Sequence, residues 1–376
     1  MNGTIPVMRV NYSILHLLRS LFVTESSTHY RDRLETMIRI FFSVNNVMLT
    51  SSARCAIYMI LRSLPQRKVI VPSYTCEVVV EAVMLAGKEV VFAPVSKKSL
   101  NISEYPDIDR DSVVIATHQY GFMSDIEELV KMCREKGAVL VEDCAGSFGG
   151  RINGRLTGTF GDYAVFSFSA SKTLHSPTKG GFIIARNKDL LDKIQPLTYK
   201  TGNKYSFKIK QFIKAVGFCL AKSRAFASWL YGVGRSNQDH SNTAYLNDLS
   251  YHFGMFEWQA CVLLKQFDNM ESLLMERRKL YKKYFYSINN KVISCKAVEW
   301  GGVCIRFPIL VSDRKRFVEH CSMNHVAVGT GYNRLYCPEE FVTAHEISQE
   351  IVYLPFGNGY SDKEINRVIT VVNSFK

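Results

Sequence analysis

An α/β fold is predicted, a large and mostly parallel sheet domain followed by a smaller α+β C-terminal domain. Short β-branched runs alternate with amphipathic stretches between about residues 50 and 190, which is the rhythm of βαβ units. After residue 256 the pattern changes to a long charged helix and then to a mixture of strands and helices. Length agrees, because single cores stop growing beyond roughly 250–300 residues and the chain has 376. The expected division is 1–255 for the large domain, with an N-terminal extension over 1–48 and a basic insertion over 193–238, and 256–376 for the small one.

The elements follow in order. Val69-Ile70-Val71, Val90-Val91-Phe92, Val113-Val114-Ile115-Ala116 and Val139-Leu140-Val141 are short and β-branched, as strands buried on both faces should be. Ala56 to Leu64, Glu77 to Ala86 and Asp125 to Lys136 carry helical periodicity between them. Phe166-Ser167-Phe168 and Gly181-Phe182-Ile183-Ile184 add two strands. From Trp258 to about Ile288 one long helix is expected, with Glu271, Glu276, Arg277, Arg278, Lys282 and Lys283 outward. Strands near Cys304–Ile309, Val326–Val328 and Tyr353–Pro355, with helices over Arg314–Met323 and Asp362–Phe375, complete the small domain.

Composition excludes disorder, since 47% of residues are hydrophobic and 22% charged. The ten cysteines lack the paired spacing of a zinc or redox site, so no metal is expected, and a reducing cytoplasm is the expected setting. The apolar stretch Ile14–Phe22 is too short to cross a bilayer, which takes roughly 17–25 residues. The net charge of +13 is concentrated: nine Lys and Arg lie between Lys193 and Arg235, and no acidic residue lies between Asp192 and Asp239. Such clustering points to a local anionic partner and not to nucleic acid.

Ligands of open α/β sheets bind beyond the carboxyl ends of the strands. There the sequence places Glu142-Asp143, Ser169-Ala170-Ser171-Lys172, Thr117-His118-Gln119-Tyr120-Gly121 and the helix opening Ser51-Ser52-Ala53-Arg54-Cys55. A lysine amine, a carboxylate, a hydroxyl and a helix N-terminus are the groups that pyridoxal 5'-phosphate (PLP) chemistry requires.

In Glu142 to Gly150, Gly158-Thr159-Phe160-Gly161-Asp162, Phe166 to Lys172 and Gly180-Gly181, the chain resembles the DegT/DnrJ/EryC1/StrS family of sugar aminotransferases. These are PLP enzymes of fold type I, and the resemblance runs from about Leu49 through Phe375. It implies that Lys172 is the Schiff-base lysine, that Asp143 pairs with the pyridine nitrogen, and that Ser167 and the backbone at Ala53, Arg54 and Cys55 receive the phosphate. It also implies a homodimer, an amino-acid donor such as glutamate, and a keto-sugar acceptor, nucleotide-linked, in surface polysaccharide or amino-sugar biosynthesis. Three positions near the cofactor depart from the family pattern. Gly146 stands for a glutamine, Cys76 for a stacking aromatic, and His252-Phe253-Gly254-Met255 for the Asn-x-Arg-Met through which a neighbouring subunit reaches the phosphate.

Other residues carry two readings. His118 and Tyr120 are either structural or part of the site. Lys179, at the Gly-Gly turn, is solvated or substrate-facing, whereas Tyr332 and Tyr336 lie in a loop where the family places substrate contacts. A basic amphipathic helix within 204–230 can make a dimer or domain contact, steer a diphosphate, or rest on a membrane surface as a peripheral protein does. A sugar dehydratase on the same scaffold would carry histidine at position 172. A non-catalytic regulatory member is the remaining alternative.

Overall fold

The computed structural model describes residues 3–24, 28–194, 204–222, 254–290, 293–295, 303–332 and 334–376. Its centre is a seven-stranded sheet of order β1-β9-β8-β5-β4-β2-β3. The strands are β1 (Val47–Thr50), β2 (Lys68–Pro72), β3 (Glu89–Ala93), β4 (Ser112–Thr117), β5 (Val139–Asp143), β8 (Tyr163–Ser167) and β9 (Gly181–Ala185), with β6 (Arg151–Ile152) and β7 (Arg155–Leu156) forming a separate hairpin. The pairs β2–β3, β2–β4, β4–β5 and β5–β8 are parallel. β9 runs antiparallel to both β8 and β1, so the sheet is mixed.

Helices α1 (Ile14–Leu21), α2 (His29–Phe42), α3 (Ala53–Ser63), α4 (Glu77–Leu85), α5 (Ile126–Lys136), α6 (Lys188–Asp192) and α7 (Lys204–Leu220) belong to this half of the chain. One face of the sheet buries Val69, Val71, Val113, Ile115 and Val141 with the apolar side of α3 and α4. The opposite face buries Ile70, Val114 and Leu140 with Ile126 and Leu129 of α5. Alternate residues of each strand therefore serve opposite cores, which is why the strands read as continuous apolar runs.

A second sheet of order β10-β11-β13-β12 comprises β10 (Ile293–Cys295), β11 (Phe307–Val311), β12 (Gly329–Thr330) and β13 (Ile351–Leu354). It packs with the helices Arg314–Met323, Val342–Glu350 and Asp362–Asn373 around Phe307, Ile309, Phe317 and Val368. The N-terminal segment crosses to it: Ile5 N donates to His325 O and Ala327 N to Ile5 O, each at 2.9 Å, and Arg9 pairs with Glu364 at 2.7 Å.

Several details differ from expectation. Val326–Val328 holds only a single bridge, Val326 with Ile5, and the strand β12 follows it at Gly329–Thr330. β1 forms within what reads as extension and linker, as an edge strand paired with β9. β8 begins at Tyr163 and ends at Ser167, because Phe168 turns its N–H to Gly180 O at 2.8 Å. The helix expected over 258–288 is two helices, Glu257–Phe267 and Met270–Ser287. Asn269 separates them, its N–H reaching Gln266 O at 3.2 Å and its side chain Lys265 O at 3.3 Å, the local bonding by which asparagine favours helix ends. Arg277 is buried, not outward, because Asn358 Oδ1 at 3.0 Å and the carbonyls of Cys304 and Lys172, both at 3.3 Å, accept its donors.

Candidate active site

Strand register assembles the site. Thr117 pairs with Asp143, and Ser167 with Gly181, which also pairs with Thr50. The segments that leave β1, β4, β5 and β8 therefore open onto one edge of the sheet, where they surround a cavity of about 400 Å³. Lys172, Asp143, Ser167, Cys76, Gly146 and His118 line it, as do Ala53 and Arg54 at the start of α3. Tyr120, Lys179 and Tyr332 also reach it.

Two expected residues do not line this cavity. Cys55 is buried in the core beneath α3 with its Sγ 3.5 Å from Met59 Sδ, and its N–H is already held by Ser52 Oγ at 3.1 Å. Tyr336 turns its hydroxyl to Glu81 Oε1 at 3.4 Å. His252 lies outside the described residues.

Lys172 follows β8 in a stretch with neither helix nor strand. Burial lowers its pKa, opposed by the nearby Asp143, and so favours the neutral amine that acts as a nucleophile. Asp143 is buried at the end of β5, where Ala145 N donates to Oδ1 at 3.0 Å. Burial raises its pKa, while the Ala145 N–H, Lys172 and His118 pull it back. Ser52 caps α3, and the next N–H groups of that first turn have no carbonyl partner within the helix. Gly181 allows this approach: a Cβ there would sit 2.5 Å from Phe166 O and 2.8 Å from Ala53 N.

His118 is held from both sides. Ser124 N donates to its Nδ1 at 3.2 Å, so the neutral ring carries its proton on Nε2, 3.4 Å from Glu142 Oε2. The same carboxylate accepts Gly158 N at 2.8 Å, Phe160 N at 2.6 Å and Gly161 N at 2.7 Å. His118, Glu142 and Cys144 have the donor types of a metal site. The carboxylate, however, is occupied by backbone N–H groups, and the arrangement reads as a structural hub.

Several site residues were not singled out from sequence. Thr75 Oγ1 and Thr117 Oγ1 are buried, line the cavity and have no hydrogen-bond partner among the described residues. Arg306 enters from just before β11, its guanidinium 4.5 Å from the centre of the Tyr353 ring. The Tyr120 hydroxyl lies 2.8 Å from that of Tyr74 and 2.6 Å from that of Tyr353, and Gln119 Nε2 donates to Tyr332 Oη at 3.0 Å. Thr117 and Gln119 lie in the strand-end segment to which the sequence pointed, and position after a strand was their only signal.

The fold and the site define an enzyme that binds its ligand at the carboxyl edge of a mixed α/β sheet beside a half-buried lysine. The family model described as the DegT/DnrJ/EryC1/StrS aminotransferase family matches residues 12–373, and the chain belongs to that family. GDP-perosamine synthase of Vibrio cholerae is 34% identical over 172 residues, 44% of this chain and 46% of that protein, so the match spans less than half of that relative. The dTDP-3-amino-3,6-dideoxy-alpha-D-galactopyranose transaminase of Aneurinibacillus thermoaerophilus is 24% identical over 82% of this chain and 78% of its own. Among solved structures, the sugar aminotransferase CalS13 of Micromonospora echinospora superposes with a TM-score of 0.74 at 17% identity, over 98% of this chain and 99% of that one.

The family uses PLP, and the residues present fit it. A half-buried lysine, a buried carboxylate, a helix N-terminus and two unpartnered hydroxyls converge on one cavity. Gly146 has a structural counterpart: a Cβ there would lie 2.8 Å from His118 O and 3.2 Å from Tyr120 N, so the 118–121 loop fills the place of a side chain.

Proposed function

We propose that this protein transfers an amino group from an α-amino acid, glutamate being the family's common donor, to the keto carbon of a nucleotide-linked sugar. The observation that carries the reading is Lys172, withdrawn from water beside Asp143 at the strand ends. Lys172 would anchor the cofactor and Asp143 would keep the pyridine nitrogen protonated. Ser52, Ser167 and the first turn of α3 would hold the phosphate. When bound, PLP supplies an electron sink for the pair left on a carbon that loses its proton. Lys172 Nζ is the base that takes the proton from the donor's α-carbon, a role suited by burial, which disfavours its charged form. Tyr120, Tyr332 and Lys179 form the side of the cavity where the sugar would lie. The family's habit of pairing subunits at this site supports a homodimer.

The test is spectroscopic. Protein purified with PLP should show a visible absorption band that glutamate bleaches, with 2-oxoglutarate as product. Reversible PLP binding with no response to any amino donor would refute the reading.

A further inference from the structure

Beyond the reaction, we propose that α1 and α7 together form a face that docks on an anionic lipid bilayer. Two stretches without acidic residues, 1–24 and 193–238, lie far apart in the sequence. α1 from the first and α7 from the second meet in space. They share a buried seam of Leu17, Ala215 and Cys219.

What faces outward is unusual for a surface helix. On α1 the exposed residues include Leu15, Leu18 and Phe22, the last 87% exposed just beyond the helix, with the exposed Arg19 among them. On α7 the exposed residues include Ile209 and Ile213, with Lys210 and Lys214 beside them. Apolar side chains point out from both helices while small and apolar ones also point in, so burial among the described residues does not explain the outer set. Lysine and arginine beside exposed leucine, isoleucine and phenylalanine, with no carboxylate on either helix, match a surface that is negatively charged and apolar beneath. No helix among the described residues is long and apolar enough to cross a membrane, so the contact is one of lying on the surface.

The face adjoins the reaction centre. The seam that joins α1 to α7 also includes Ala170, two residues before Lys172. Docking there would hold the cavity close to the bilayer.

The experiment is co-sedimentation of the full-length, PLP-loaded protein with vesicles of phosphatidylcholine alone or mixed with phosphatidylglycerol. Binding is expected only to the second, falling as salt is raised. Lys210→Gln with Lys214→Gln should weaken it about thirtyfold, from about fivefold per charge near the surface, and Leu15→Ser with Leu18→Ser should also weaken it. Lys136→Gln, on α5, should not. The visible cofactor band and the thermal midpoint confirm that each variant is folded. Equal binding to neutral vesicles, no binding at all, or unchanged binding by the lysine pair overturns the proposal. So does the case in which the leucine pair dissociates subunits by light scattering while vesicle binding is absent, which would assign the face to a second copy of the chain. These results do not depend on transamination, so its failure would be seen separately.

Discussion

Replacing Glu142 by glutamine tests how the catalytic edge is held. Its two oxygens receive five donors, Phe160 N and Gly161 N on Oε1, and Gly158 N, His118 Nε2 and the more distant Cys144 Sγ at 4.0 Å on Oε2. A glutamine has one acceptor oxygen and an NH₂ group, so either the Phe160–Gly161 pair or the Gly158–His118 pair would face a donor. His118 cannot escape by shifting its proton to Nδ1, because Ser124 N already donates there. Two buried donors left unmatched cost about 1–3 kcal/mol each, so the variant should lose about 2–6 kcal/mol. Urea unfolding of the apo-protein would show this as a lower midpoint with an unchanged slope. The PLP absorption band should weaken as well, because Asp143 is the next residue. A loss below about 1 kcal/mol would refute the claim that Glu142 ties the 158–161 loop to β5.

Three further outcomes follow from the same geometry. Lys172→Ala should abolish transamination and the visible band, whereas Lys179→Ala should keep the band and alter at most substrate affinity; borohydride reduction and peptide mapping would place the modification on Lys172, and finding it on Lys179 would overturn the site assignment. Gly146→Gln should cost about 1–3 kcal/mol and lower the thermal midpoint, because its Cβ would meet the backbone of His118 at 2.8 Å; an unchanged midpoint would contradict the packing. Although burial pushes the Glu364 carboxyl upward, hydrogen bonds from Arg9 and Ser361 hold it down, from an ordinary 4.5 to about 2. A depressed carboxyl stabilises the fold above its unfolded value and loses that contribution as pH falls through the folded one. The difference between Arg9→Ala and wild type in urea midpoint should be full at neutral pH and shrink between about pH 4.5 and 2.

The parallel strands β2, β4 and β5 were legible because two buried faces demand continuous β-branched runs, whereas β3, an edge strand with partly buried middle residues, was legible from its Val-Val-Phe run alone. β1 was not, since Val47-Met48-Leu49-Thr50 is a short edge strand with its two middle residues only partly buried. The periodicity from Trp258 to Ile288 continues through Asp268 and Asn269, so the break there depends on how the Asn269 side chain bonds to the backbone at Lys265. In the site, Asp143, Ser167 and Lys172 were legible through the resemblance of their segments to the family's motifs. The unpartnered hydroxyls of Thr75 and Thr117 were not, because lacking a partner is a property of the folded surroundings. α1 shows the same limit: its sequence displays amphipathic spacing, but only packing reveals that leucines also occupy the outer side.

Lys172 stands on a segment without regular structure, yet four parts of the chain hold that segment. Arg277 reaches its carbonyl at 3.3 Å from the helix Met270–Ser287. Asn11 reaches Thr173 O at 3.0 Å from the N-terminal segment, and Gln266 exchanges two hydrogen bonds with the His175 backbone, at 2.8 and 2.7 Å. From the start of β9, Gly180 O accepts Phe168 N at 2.8 Å. His175 completes the clamp by accepting Asn11 N on Nδ1 at 2.9 Å, which a protonated ring could not do. Burial, with Arg277 nearby, depresses its pKa to about 3, so the clamp keeps its form throughout the neutral range. The pH dependence of the reaction should then come from groups inside the cavity, Lys172 and Asp143, and not from the backbone that positions them.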